Sequence, residues 1–424
     1  MGQRTFMNLS EVTSTPSMAA PRAVRQSTAQ RPLRLGLDVP LLLTTITLLV
    51  FGILMVYSAS WDFSYNTTGS HTAILQRQIL FMAIGLLGAI ALALFDYHIW
   101  QKLAVPALGV TILMLIAVLL INDLRHGAVR TLVSGSGQPS ELAKLITVIY
   151  LSVWLFAKKD RLHDVSFGLI PMAVILGVVG GLIYLQPDLS ALITVAALGG
   201  LLFFLAGGDL KQILIFLLVG VLAGWVVVQF SSTGASRVSS FIAGLKNPLD
   251  ADYQVQRSIE AFIKGGWFGV GIGKGDTKLL GLPVPHTDSI FAVVGEETGF
   301  IGSILLVGLY VMLGWRGLVI ARRAPDGLGA LLAAGLSMWL VMEAFVNMLV
   351  MIGLLPFAGN ALPFISVGGS NLVVSLAAIG ILTSIARRSE QQQDVRERTF
   401  SEVVDLRGRH GRRRVSRPGR VERA

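Results

Sequence analysis

Asp38 to Ser58 reads DVPLLLTTITLLVFGILMVYS, with one carboxylate at its start and no charge after it. An apolar run of about 20 residues is what crossing the hydrocarbon core of a bilayer requires. Hydropathy places this first span at roughly 38–58 and nine more at roughly 79–95, 102–122, 141–157, 166–185, 190–206, 211–230, 289–315, 328–354 and 365–386. The 424 residues are 53% hydrophobic and only 14% charged, against about 25% charged in ordinary soluble domains. The reading is an all-α membrane protein: a polytopic bundle of about ten transmembrane helices with one long extracytoplasmic loop, about 231–288.

The chain has no cysteine, which excludes disulfides, thiol catalysis and Cys-ligated metals. Its six histidines show no ligand spacing such as H-x-x-x-H, so no metal site is assigned. The net charge of +10 lies largely in two tails that flank membrane spans. Topology and attraction to anionic membrane lipids account for it without nucleic acid. Arg22, Arg25, Arg31 and Arg34 precede the first span. Lys158, Lys159 and Arg161 follow the fourth, Lys211 precedes the seventh, Arg316, Arg322 and Arg323 follow the eighth, and Arg387 and Arg388 follow the tenth. With ten spans these all fall on one side, which the positive-inside rule makes cytoplasmic, so both termini are expected there. Residues 1–37 and 389–424 read as disordered basic tails around a membrane domain at 38–388.

The polar motifs gather at the opposite face. Pro285-His286-Thr287-Asp288 leads into the eighth span, and Glu296 and Glu297 lie about two turns inside it. Ionisable side chains in a membrane span are expensive and are first suspected of function. Pro283 and Pro285 predict an extended approach to Asp288. That residue is either a helix cap at the positive helix end or an anchored carboxylate kept ionised, as a general base must be. Glu296 and Glu297 point about 100° apart, so they cannot share one partner. Glu141 and Lys144 open the fourth span on one helix face, where they can form an ion pair. Alternatively, Lys144 and Arg130, in the loop before it, could hold an anionic headgroup such as a pyrophosphate.

Gly269-Val270-Gly271-Ile272-Gly273-Lys274-Gly275 looks like a phosphate loop, but it lacks the G-K-[ST] ending and the flanking strand. Its glycines are expected to permit tight turns at the bilayer surface. Gly353 to Ser370, broken by Pro and Gly, reads as a re-entrant segment lining a polar cavity.

Nine motifs in order resemble the SEDS family (shape, elongation, division and sporulation) across about residues 38–388. They are Gly127-Ala128-Val129-Arg130, Gln138-Pro139-Ser140-Glu141-Leu142-Ala143-Lys144, Gln186-Pro187-Asp188-Leu189, Tyr253-Gln254-Val255-Gln256, Gly271-Ile272-Gly273 with Lys278, His286-Thr287-Asp288, Gly295-Glu296-Glu297, Asn347, and Pro363-Phe364-Ile365-Ser366 with Gly368-Gly369-Ser370. The long tails resemble the family's cell-division branch. The chain departs from the usual pattern at Thr131, at Ala358 to Ala361, at Val367 and at Glu343, where Gln is usual.

The resemblance implies a peptidoglycan glycosyltransferase that polymerises lipid II into β-1,4-linked glycan at the outer face of the bacterial cytoplasmic membrane. It puts the catalytic aspartate at Asp288. Substrate contacts are implied at Arg130, Glu141, Lys144, Gln186, Asp188, Lys278, His286, Thr287, Glu296, Ser366 and Ser370. A class B penicillin-binding protein and other divisome or elongasome membrane proteins are the implied partners. No cofactor is assigned, with a divalent cation (Mg or Mn) as the candidate aid to the departing charge. A lipid II flippase and a non-catalytic scaffold for a transpeptidase are the alternatives.

Overall fold

The structure is a computed structural model that describes residues 36–125, 138–186, 188–230 and 232–409. Arg130, its motif neighbours Gly127 to Val129 and Pro187 lie outside the described residues. The helices in chain order are α1 (Val39–Thr68), α2 (Ala73–Leu94), α3 (Trp100–Arg125), α4 (Pro139–Lys158), α5 (Leu169–Leu185), α6 (Leu189–Leu205), α7 (Leu210–Phe230), α8 (Ser232–Lys246), α9 (Tyr253–Gly265), α10 (Ile290–Arg323), α11 (Gly327–Met351) and α12 (Gly369–Arg409). Seven of these elements, α1 to α4 and α10 to α12, are long and apolar enough to cross a membrane, and α5 to α7 are shorter apolar helices.

Aspartates start several of the helices. Asp38, Asp188, Asp252 and Asp326 accept from the backbone N–H of Leu41, Ala191, Gln254 and Gly329, at 3.0, 3.2, 3.0 and 2.7 Å. Each satisfies a donor that the first helical turn would otherwise leave without a partner. The Asp38 carboxylate also takes a two-pronged contact from Arg316, through Nε at 3.1 Å and Nη2 at 2.5 Å. This joins the start of α1 to the last part of α10. At the same end of the bundle His98 bridges Asp96 and Asp326 at 2.7 and 2.8 Å, and Arg388 reaches Asp96 at 2.7 Å. The polar motifs lie at the other end of these helices.

The core runs along α4, α11 and α12, whose membrane-spanning windows are mostly buried. Trp339, Leu151, Leu155 and Ile385 are among their fully buried side chains. By contrast, α2 and α3 expose Leu87, Leu94, Leu113 and Leu120, which suits helices facing lipid rather than water.

Helix α10 is interrupted at Gly299, whose φ of 69° and ψ of −168° belong to a region essentially restricted to glycine. The break frees backbone groups on both sides, and residues 266–271 fill it. Val270 and Gly271 donate to the carbonyls of Glu296 and Glu297 at 3.0 and 3.1 Å. In return, Phe300 and Ile301 donate to Gly266 and Trp267 at 2.9 and 3.2 Å. The glycine run that mimics a phosphate loop is therefore a backbone plug. It meets the rule that irregular backbone at membrane depth must be satisfied by protein.

Several boundaries differ from the sequence expectation. α1 continues to Thr68 and α10 to Arg323. The C-terminal tail, expected to be disordered from 389, is helical to Arg409, in keeping with the strong helix formers Glu, Gln and Arg between 390 and 409. The long loop holds α8 and α9, the latter starting at Tyr253 of the Tyr253-Gln254-Val255-Gln256 motif.

Candidate functional site

The approach to α10 is turned rather than extended. Val284 has a positive φ of 40°, and Thr287 donates to its carbonyl at 3.1 Å. The two prolines fix only their own φ, and Val284 between them turns the chain in a left-handed conformation that a β-branched residue rarely adopts. The helix begins at Ile290 with Ser289 at the cap position and no side-chain cap bond there. Asp288 thus stands one residue before the cap, half-buried, still at the positive end of the helix dipole.

Three successive carbonyls of this turn are gripped from outside it. His286 O accepts from Val367 N at 2.8 Å, Thr287 O from Ser366 Oγ at 2.7 Å, and Asp288 O from Asn347 Nδ2 at 2.8 Å. Ser289 Oγ accepts from Gln254 Nε2 at 2.5 Å and donates to Pro283 O at 2.8 Å. The Asp288 backbone is thereby held by α9, α11 and the segment before α12, the preorganisation a functional carboxylate needs. Burial pushes the His286 imidazole below its ordinary pKa, so it is neutral at pH 7. Its ring packs 4.6 Å from that of Phe63.

The segment 352–368 crosses in front of Asp288. A Cβ built at Gly359 would sit 2.9 Å from Asp288 Oδ2, so this position keeps room for the carboxylate. Gly359 O accepts from Ser190 Oγ at 3.4 Å. Ser190 also donates to Asp188, whose carboxylate takes Gln138 Nε2 at 3.1 Å and Ser140 Oγ at 3.0 Å. Gln138 N donates to Ser370 Oγ at 3.3 Å. The structure therefore brings Asp188, His286, Thr287, Asp288, Ser366 and Ser370 into one network at one end of the bundle. We expect Gly359→Ala to fold normally, because only a movable carboxylate stands in the way, yet to lower turnover about tenfold to a hundredfold by displacing that carboxylate. Melting temperature and turnover measured together check this.

Other sequence-assigned contacts go elsewhere. Lys144 is buried and paired within α4 to Glu141 at 2.9 Å and across to Glu343 of α11. Asn371 donates to the same Glu141 at 2.9 Å. The ammonium is engaged by two carboxylates, in an internal ion cluster of Lys144, Glu141 and Glu343. Glu296 accepts from Asp276 N, Thr277 N and Thr277 Oγ1 at 3.0, 3.1 and 2.9 Å. Glu297 pairs with Lys278 at 2.5 Å and accepts from Ser58 of α1 at 2.6 Å. Glu296 and Lys278 therefore fasten the 275–278 loop into the break of α10. Asp188 is occupied as a cap and knot, and Gln186 donates to Leu115 O at 3.0 Å, away from Asp288. Among the described residues no group of three or more His, Cys, Asp or Glu could hold a metal ion.

Sequence reasoning singled out neither Gly359 nor Glu343 as a site residue, and named Asn347 only as a motif match. The available signals were a glycine in a Pro-flanked segment and a polar residue within an apolar helix.

An all-helical membrane bundle with an anchored aspartate at one end defines the class. Residues 39–391 match the model of the cell cycle protein family FTSW_RODA_SPOVE, and the chain belongs to that family. It is 39% identical over 362 residues to a protein of Trichlorobacter lovleyi named "Probable peptidoglycan glycosyltransferase FtsW", covering 84% of this chain and 95% of that one. A solved structure described as "Structural coordination of polymerization and crosslinking by a peptidoglycan synthase complex" is 26% identical with a TM-score of 0.68, covering 84% and 99% of the two chains. The rod shape determining protein RodA of Thermus thermophilus is 26% identical with a TM-score of 0.60, covering 84% and 98%.

Proposed function

We propose that this multi-pass membrane protein is a peptidoglycan glycosyltransferase that polymerises lipid II into β-1,4-linked glycan at the outer face of the bacterial cytoplasmic membrane. The observation that carries the reading is the three-carbonyl clamp that anchors Asp288 at the mouth of α10. The relatives' names and family membership support the reaction class.

The donor's leaving group is a polyprenyl pyrophosphate, which departs without needing a proton. One base therefore suffices, whereas glycosidases need a second carboxyl to protonate the leaving oxygen. Asp288 takes the proton of the acceptor 4-hydroxyl as that oxygen attacks the donor anomeric carbon. The bond from that carbon to the pyrophosphate breaks, and inversion sets the β link. Arg130 is the candidate cation for the departing charge. Both termini are cytoplasmic in this reading, and the tails at 1–37 and from 389 flank the membrane domain. A class B penicillin-binding protein and other divisome or elongasome proteins are the proposed partners, supported by the likeness to a synthase complex.

A lipid II transporter would place its key acid near the midplane, while Asp288 lies before the first turn of α10. Glycan polymerisation from purified lipid II by the reconstituted protein tests the proposal. Absence of polymer even with a cognate transpeptidase would refute it.

A further inference from the structure

We propose that Asn347 is a positioning residue for Asp288, an inference that rests on the general-base reading above. Asn347 is fully buried on α11. Its single amide nitrogen donates to two backbone carbonyls, Asp288 O at 2.8 Å and Asn360 O at 2.5 Å. Both partners can only accept, so the orientation of the amide is fixed by the network. The two carbonyls belong to the two chain segments that meet at the carboxylate. One carries Asp288 itself. The other carries Gly359, where a Cβ would lie 2.9 Å from Asp288 Oδ2. Asn347 is therefore the shared fastener that sets the separation between the base and the wall facing it.

The other two grips on the turn, from Val367 N and Ser366 Oγ, act on His286 and Thr287. They tie the turn to the far end of the 352–368 segment, whereas Asn347 grips Asp288 itself and the residue beside Gly359. One turn earlier on α11, Glu343 pairs with Lys144 of α4. The same helix thus has an independent anchor, and removing the Asn347 amide need not loosen it. Asn347 Oδ1 is buried without a protein partner, so the engaged atom of this amide is Nδ2.

Two substitutions separate positioning from folding. Asn347→Leu keeps the volume and removes both donors. Asn347→Asp keeps the shape and offers, protonated, one donor to two acceptors and, ionised, none. Both are measured in the reconstituted full-length protein for kcat and KM on lipid II, for melting temperature in detergent, and beside Asp288→Asn. A misplacement of the base by about 1 Å can cost roughly a hundredfold in rate. We expect kcat to fall about tenfold to a hundredfold in both variants, with KM changed less than about threefold, because the lost interaction serves the transition state rather than uniform binding. Unchanged kcat in both variants overturns the proposal. So does a rise in KM alone, or a loss of activity in both that tracks a loss of folded protein. If Asp288→Asn itself polymerises at the wild-type rate, it is the general-base reading that fails, whatever Asn347 does.

Discussion

Asp288→Asn is expected to lower glycan polymerisation by about 10²–10⁴-fold, the usual worth of a general base, while the protein still inserts and folds. The amide has the shape of the carboxylate but cannot accept the acceptor hydroxyl's proton. Folding is spared because the turn is held through its backbone. The carbonyl of residue 288 still accepts from Asn347, and those of His286 and Thr287 from Val367 and Ser366. Rates measured at equal amounts of folded protein check this. A variant within about threefold of the wild type would remove Asp288 from the proton transfer.

Lys144→Met is expected to have the largest effect on stability. Lys144, Glu141 and Glu343 are all nearly inaccessible, with side-chain exposures of 2%, 9% and 1%. Removing the cation leaves two carboxylates facing each other in an apolar interior. Breaking a buried pair by deleting one partner costs about 3–5 kcal/mol, mostly through the charge left behind. Adding Glu343→Gln to Lys144→Met should recover part of that loss, since one of the two uncompensated acids is then gone. Unfolding curves of the single and double variants check both statements. A single variant as stable as the wild type would mean that both acids are uncharged once the cation is gone and need no partner.

Much of the fold was legible in the chain because burial in lipid leaves little freedom. Uncharged runs such as 39–58 can only span or be buried, and their number and charged ends set the alternation of the helices. The separate partners of Glu296 and Glu297 were legible from helix geometry alone. So was the helical face shared by Glu141 and Lys144. What escaped the sequence depends on distant backbone. Nothing near Lys144 announces Glu343, 199 residues away. The glycines at 269 and 271 look like a turn because their purpose, filling the break at Gly299, exists only once α10 is interrupted. Gln186 sits in a polar motif beside Asp188, yet its position at the end of α5 aims it at α3. Gly359 and Asn347 matter through which carbonyls and oxygens they approach, which no local pattern records.

The central claim, that this bundle makes glycan from lipid II with Asp288 as base, is tested most directly by one reconstitution. Labelled lipid II is given to liposomes carrying the wild type or Asp288→Asn, each alone and with the cognate transpeptidase, and both polymer and transbilayer movement are followed. Glycan chains from the wild type, lost in the variant, are the expected result. Lipid II crossing the bilayer without any polymer, equally in both proteins, would contradict the account.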